Sequence, residues 1–227
     1  MKKITVNDLL KAGVHFGHQT SRWNPKMNKF IFGKKDKLHI IDIRKTKERL
    51  EEAQNYIRKI VNSGGKVLFV GTKKQAKDLV QKYAQACEMP YVSQRWLGGT
   101  LTNFDIIKKR IAELKSLEQE EKSDEFDKYT KKEKLIIKKK LDKLNRNLGG
   151  LKALEKLPEC IFVVDVMHNK LAVKEAGTKE IPIVALVDTN ADPNKVDYPI
   201  PANDDAIASI DLMLNVIADT IKDASKK

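Results

Sequence analysis

Cysteine is scarce in this 227-residue chain: Cys87 and Cys160 are all it has. Two thiols so far apart make no metal-ligand spacing, and nothing in the sequence calls for the oxidising compartment that a disulfide needs. Long apolar runs are missing too. No stretch approaches the roughly 18 consecutive apolar residues of a membrane-spanning helix. The opening Met1-Lys2-Lys3-Ile4-Thr5-Val6-Asn7-Asp8 turns acidic before an apolar signal core forms, so secretion is not expected and a cytoplasmic protein is. The usual catalytic signatures are absent as well. There is no Gly-x-Gly-x-x-Gly, and Gly71-Thr72-Lys73-Lys74 lacks the Gly-Lys-Ser/Thr ending of a phosphate loop. No Gly-x-Ser-x-Gly turn occurs, and neither cysteine has a nearby histidine. The residues offer no active site.

Acidic charge is in deficit: 31 Asp and Glu stand against 44 Lys and Arg, a net of +13. The excess is one-sided. Residues 1–74 hold 18 basic residues against 6 acidic, whereas residues 149–227 hold 9 against 13. Such a gradient predicts a polyanion, nucleic acid before membrane, docking on the N-terminal third. The residues expected to meet its backbone are Arg22, Lys26, Lys29, Lys34, Lys35, Lys37 and Arg44, with Lys73 and Lys74 at the start of a helix beside them. Asp188, Asp192, Asp197, Asp204 and Asp205 gather late in the chain, and that face should point away from phosphate or hold a cation.

Apolar patterning sets the fold class. Lys66–Gly71, Cys160–Asp165 and Ile181–Asp188 read as continuous apolar runs, the signature of strands buried on both faces, the last two closed by an aspartate. Shorter strands are expected at Leu38–Ile41, Pro90–Val92 and Tyr198-Pro199-Ile200, the last at an edge because of its proline. Helical spacing covers residues 46–62, 73–86, 169–176 and 204–221. Strands alternating with amphipathic helices predict an α/β doubly wound parallel sheet of about five strands. One region breaks the pattern. Phe104, Ile107, Ile111 and Leu114, then Ile137, Leu141, Leu144 and Leu148, repeat at steps of three and four. That predicts two coiled-coil helices joined near Ser123-Asp124, either an arm over 104–148 inserted between 1–103 and 149–227 or a pair of helices lying on the sheet.

Two further stretches carry chemistry. In Arg95-Trp96-Leu97-Gly98-Gly99-Thr100-Leu101-Thr102-Asn103, an Arg-Trp pair suits stacking on bases, and a Gly-Gly turn lets backbone N–H groups approach phosphate. Trp96 serves equally well as a buried anchor for the arm, and Thr102 or Asn103 as the cap of its first helix. The stretch from Gly13 to Met27 holds His15, His18 and Trp23, with Trp23 joining the expected RNA contacts. His15 and His18 alone make no metal site, but carboxylates such as Asp188 and Asp204 are placed to bridge a divalent cation to His18.

These blocks carry a resemblance. Leu9-Leu10-Lys11-Ala12-Gly13-Val14-His15-Phe16-Gly17-His18, Trp23-Asn24-Pro25-Lys26-Met27, the stretch Arg95 to Asn103, Asp188-Thr189-Asn190-Ala191-Asp192-Pro193 and Ile200-Pro201-Ala202-Asn203-Asp204-Asp205-Ala206 are together similar to the bacterial ribosomal protein S-two family, in family order and over nearly the whole chain. The resemblance implies a flavodoxin-like sheet with a coiled-coil arm and a structural constituent of the small ribosomal subunit without catalysis or cofactor. It implies binding to 16S-type rRNA between head and body, and help in seating the large mRNA-capturing ribosomal protein. It also implies a metal ion near that seat. The short C-terminus departs from relatives with longer extensions. The alternative on the same sheet is a nucleotide-dependent enzyme acting on RNA.

Overall fold

The computed structural model describes residues 4–123, 126 and 128–226; the expected arm tip at Asp124 lies outside the described residues. Five parallel strands form the main sheet: β4 (Val67–Val70), β5 (Tyr91–Val92), β6 (Cys160–Val164), β7 (Ile183–Val187) and β8 (Tyr198–Pro201), in the order β5-β4-β6-β7-β8. Counted along the chain that is 2-1-3-4-5, the flavodoxin-like order, with its switch point between β4 and β6. The proline-bearing β8 is an edge, as its missing N–H groups require.

Alternation along each strand divides the core in two. Val67, Phe69, Phe162, Val164 and Leu186 pack with helices α2 (Ile43–Asn62), α3 (Lys77–Ala86) and α7 (Ile207–Ser225). Leu68, Val70, Ile161, Val163 and Ala185 pack on the other face, with α4 (Phe104–Glu121), α5 (Lys131–Leu148) and α6 (Lys170–Thr178). Both faces are therefore covered, and the strands read as unbroken apolar runs for that reason.

The helices α4 and α5 pair along a seam, with a Glu113–Lys140 ion pair at 2.6 Å. Yet Ile107, Ile111, Leu114, Leu141 and Leu148 belong to the same apolar cluster as the sheet residues Leu68 and Val163. The inner part of this hairpin is thus core. Phe126 and Tyr129 pack edge-to-face near the tip, with ring centroids 6.0 Å apart.

One element departs from the sequence reading. Leu38–Ile41 (β3) is not in the main sheet; it is the centre of a separate antiparallel sheet with β1 (Phe16–Gln19) and β2 (Ile31–Lys35). The β2–β3 turn at Asp36 and Lys37 has φ of 48° and 63°, the left-handed pair of a two-residue hairpin loop. A short helix, α1 (Val6–Lys11), precedes this sheet behind a Thr5–Asp8 capping box.

Candidate functional site

Open α/β sheets place their sites beyond the carboxyl ends of the strands, and here those ends carry a dense ionic cluster. Asp165 follows β6, Asp188 follows β7, Asp204 and Asp205 lie between β8 and α7, and Lys73 follows β4. The small sheet contributes His18 from β1. Gly17 makes that approach possible, because a Cβ there would sit 2.5 Å from Thr189 Cγ2. The His18 N–H donates to Thr189 Oγ1 at 2.9 Å, which locks β1 against the β7 loop.

His18 stands between two carboxylates. Its Nδ1 lies 3.1 Å from Asp188 Oδ1 and its Nε2 3.3 Å from Asp205 Oδ2. The hydrogen bond to Asp188 raises the imidazole pKa above its ordinary value, against the opposing effect of burial. Asp188 Oδ2 also accepts the Asp204 backbone N–H at 3.2 Å. Asp204 is only 1% exposed, and its Oδ2 is buried with no hydrogen-bond partner. Burial first, then the neighbouring charges of Asp188 and Asp165, push its pKa up to about 8, with Lys73 opposing. His18, Asp188 and Asp204 each present a ligand atom, all within 4.8 Å of one another. Their donor set of one imidazole nitrogen and carboxylate oxygens suits a divalent cation.

The structure corrects the role expected of Lys73. Its ammonium lies 2.9 Å from Asp165 Oδ2, 3.2 Å from Asp204 Oδ1, and against Asp205 Oδ1. Burial alone would depress its pKa, but Asp204, Asp205 and Asp165 together raise it above the usual lysine value. Three carboxylates hold this charge inside the protein, so it is not offered to a phosphate backbone. Helix α3 accordingly begins at Lys77, leaving Lys73 and Lys74 in the preceding turn, where Lys74 is exposed. Two expected members of the acidic group are also elsewhere. Asp192 pairs with Lys26 at 2.7 Å, and Asp197 accepts the Ile183 N–H at 2.8 Å at the opposite end of the sheet.

The stretch from Arg95 to Asn103 is organised around a residue the sequence reading missed. Glu175 of α6 is 5% exposed and accepts five hydrogen bonds: the Trp96 indole and Gly99 N–H on Oε1, and Leu101 N–H, Thr102 N–H and the Thr102 hydroxyl on Oε2. Burial would raise its pKa, but the Leu101, Gly99 and Trp96 donors together lower it. Trp96 is buried at 8% exposure, which resolves its two readings in favour of the anchor. The Gly-Gly turn points the Gly99 N–H at this internal carboxylate. Asn103 caps α4 by position without a side-chain hydrogen bond, and Arg95 beside it is exposed. No local pattern marks Glu175; only the approach of α6 to this loop does.

The remaining basic residues lie on the surface. Arg22, Lys29, Lys34, Lys35, Lys37 and Arg44 are exposed, and Trp23 lies against His39 with ring centroids 5.0 Å apart. Lys34, Lys35 and Lys37 crowd the tip of the β2–β3 hairpin. Arg44 sits 3.5 Å from Asp42, and Lys29 lies over the Phe30 ring. No helix among the described residues is long and apolar enough to cross a membrane.

Comparison with known proteins agrees with this architecture. Residues 9–224 match the family model described as Ribosomal protein S2. The chain is 51% identical over 218 residues to the small ribosomal subunit protein uS2 of a Nitratiruptor species, covering 96% of this chain and 82% of that relative. By this match the chain belongs to the ribosomal protein S2 family, structural proteins of the small ribosomal subunit that act in translation and are not enzymes.

Proposed function

We propose that this protein binds the rRNA of the small subunit, in the cytoplasm, through the β2–β3 hairpin and the basic residues around it. The observation that carries the reading is the segregation of charge in three dimensions. Lys34, Lys35 and Lys37 are all exposed at the β2–β3 turn, whereas the carboxylates of Asp165, Asp188 and Asp204 are buried at the strand ends. Exposed lysines clustered at one turn neutralise phosphates without reading sequence, which suits an architectural contact between head and body. Arg22, Trp23, Lys29, Arg44, Lys74 and Arg95 extend this surface. Lys26 joins it only by exchanging its Asp192 partner.

The same reading gives the His18, Asp188 and Asp204 cluster a divalent cation. The support is the buried, unpartnered Asp204 Oδ2, a polar atom left without compensation unless something positive faces it. A bound cation would offset the repulsion among the carboxylates and fasten β1 to the main sheet. The charged surface around Asp205 and Asn190 is then a rigid seat for a neighbouring ribosomal protein, the large mRNA-capturing one in this proposal. Binding of purified protein to small-subunit rRNA across a salt series tests the first part. A wild-type protein whose affinity ignores salt would refute it.

A further inference from the structure

A polar cleft of about 370 Å³ lies where the edge strand β5 meets the C-terminal end of α5, apart from the basic hairpin and the acidic cluster. Its volume falls in the range of roughly 300–1,000 Å³ typical of ligand sites. Gln81, Gln85 and Gln94 line one side; Asn145, Arg146 and Asn147 line the other. Gly150 lets the two sides meet, because its backbone crosses the edge strand so closely that a Cβ would lie 2.2 Å from the Tyr91 carbonyl oxygen. No carboxylate lines the cleft, in a chain with 31 acidic residues.

The chemistry of this lining is specific. Lys152 is already held by Glu118. Arg146 is exposed and enters no ion pair among the described residues, so it supplies the cleft's open positive charge. Around it stand five side-chain amides, each with donors and an acceptor. Gln85 uses one donor on the Tyr91 hydroxyl, at 3.1 Å. Amides that both give and accept match ribose hydroxyls and base edges, while a guanidinium pairs with phosphate.

We infer that this cleft between β5 and α5 is a second RNA-binding site, taking an unpaired or splayed strand of small-subunit rRNA with its phosphate on Arg146 and its sugars or base edges on the amides of Gln94 and Asn145. The inference rests on the rRNA-binding reading above and adds a separate, single-strand contact to it. It also gives the inner part of the α4–α5 hairpin a functional role, because α5 supplies Asn145, Arg146 and Asn147 to the site.

A photoreactive p-benzoylphenylalanine placed at Gln94, and separately at Lys35, in assembled small subunits distinguishes the two readings. Crosslinks to rRNA from both positions are expected. rRNA crosslinks from Lys35 alone, with Gln94 reaching only protein or nothing, overturn the cleft and leave the hairpin contact standing. Failure at both positions overturns both. In a salt titration of rRNA binding, Arg146→Ala should lower the log–log slope by about one unit, as for one lost phosphate contact, with an unchanged melting temperature. An unaltered slope and affinity overturn the assignment of Arg146.

Discussion

The Trp96 indole Nε1 donates to Glu175 Oε1 at 3.1 Å, across 79 positions of sequence. This bond joins the loop entering α4 to helix α6, and it fixes the direction in which the α4–α5 hairpin leaves the sheet. Truncating Trp96→Ala should cost about 3–5 kcal/mol, the usual loss for a buried large aromatic. Urea unfolding measures it. A loss below about 1 kcal/mol would mean that the ring is not packed as described.

Glu175 gives the same contact a pH signature. Its carboxyl is held below the ordinary Glu value of 4.5, so its stabilisation is complete above that value and is lost as pH falls through the folded pKa. Glu175→Gln leaves buried N–H donors facing an amide, at a cost of about 1–3 kcal/mol near neutrality. The gap between wild type and variant should therefore narrow only in acid. A gap that is constant from pH 7 to pH 3 argues against an ionised Glu175.

Replacing Lys34, Lys35 and Lys37 together by Ala should flatten the log–log salt dependence of rRNA binding by about 2–3 units, at roughly 0.9 per phosphate borrowed from duplex DNA. Lys73→Ala should leave that slope alone and lower stability, because its partners are Asp165, Asp204 and Asp205. The contrast between the two variants is the test.

The cation makes Asp204→Asn diagnostic by sign. In chelator the variant should be as stable as wild type or more so, since it removes a buried carboxylate repelled by Asp188 and Asp165. With divalent metal added, wild type alone should gain stability, by RT ln(1 + [L]/Kd). Changing Asp188 and Asp204 to Asn together should lower the metal content of purified particles, or their retention of the neighbouring protein, while rRNA binding persists. Metal and partner both at wild-type levels would leave the cluster as charge alone.

The hairpin should divide at its buried seam. Replacing residues 120–136 with a short Gly-Ser linker should leave the melting temperature nearly unchanged, since none of the described residues in that stretch belongs to either apolar cluster. Leu114→Ala or Leu141→Ala should cost about 2–5 kcal/mol, as core truncations do. Unfolding of the shortened chain would show that the tip also supports the core.

Much of this was legible in the residues. The apolar runs within 66–71, 160–165 and 181–188 demanded strands buried on both faces, and a proline-bearing strand had to lie at an edge. The seam of α4 and α5 was readable from its three-and-four spacing. What the spacing left open was how far the hairpin stands from the sheet, because a narrow apolar stripe packs equally well on a partner helix or on a core.

The candidate site was less legible. Asp165 and Asp188 each close an apolar strand, and that repeated ending was the available signal for the cluster. Lys73 read as a free cation because sequence shows neither the loops it faces nor their charge. Leu38–Ile41 read as another strand of the main sheet, since four residues do not reveal their neighbours. The sequence by itself determined the periodicities, the charge gradient and the family, because these are properties of order along the chain. Only the tertiary structure decided which charges are neutralised inside and which face outward: Glu175 against Trp96, Lys73 among three aspartates, Arg146 beside a cleft of amides. The reason is physical. A charge's partners are chosen by distance in space, and the parallel crossovers bring together residues that lie tens of positions apart.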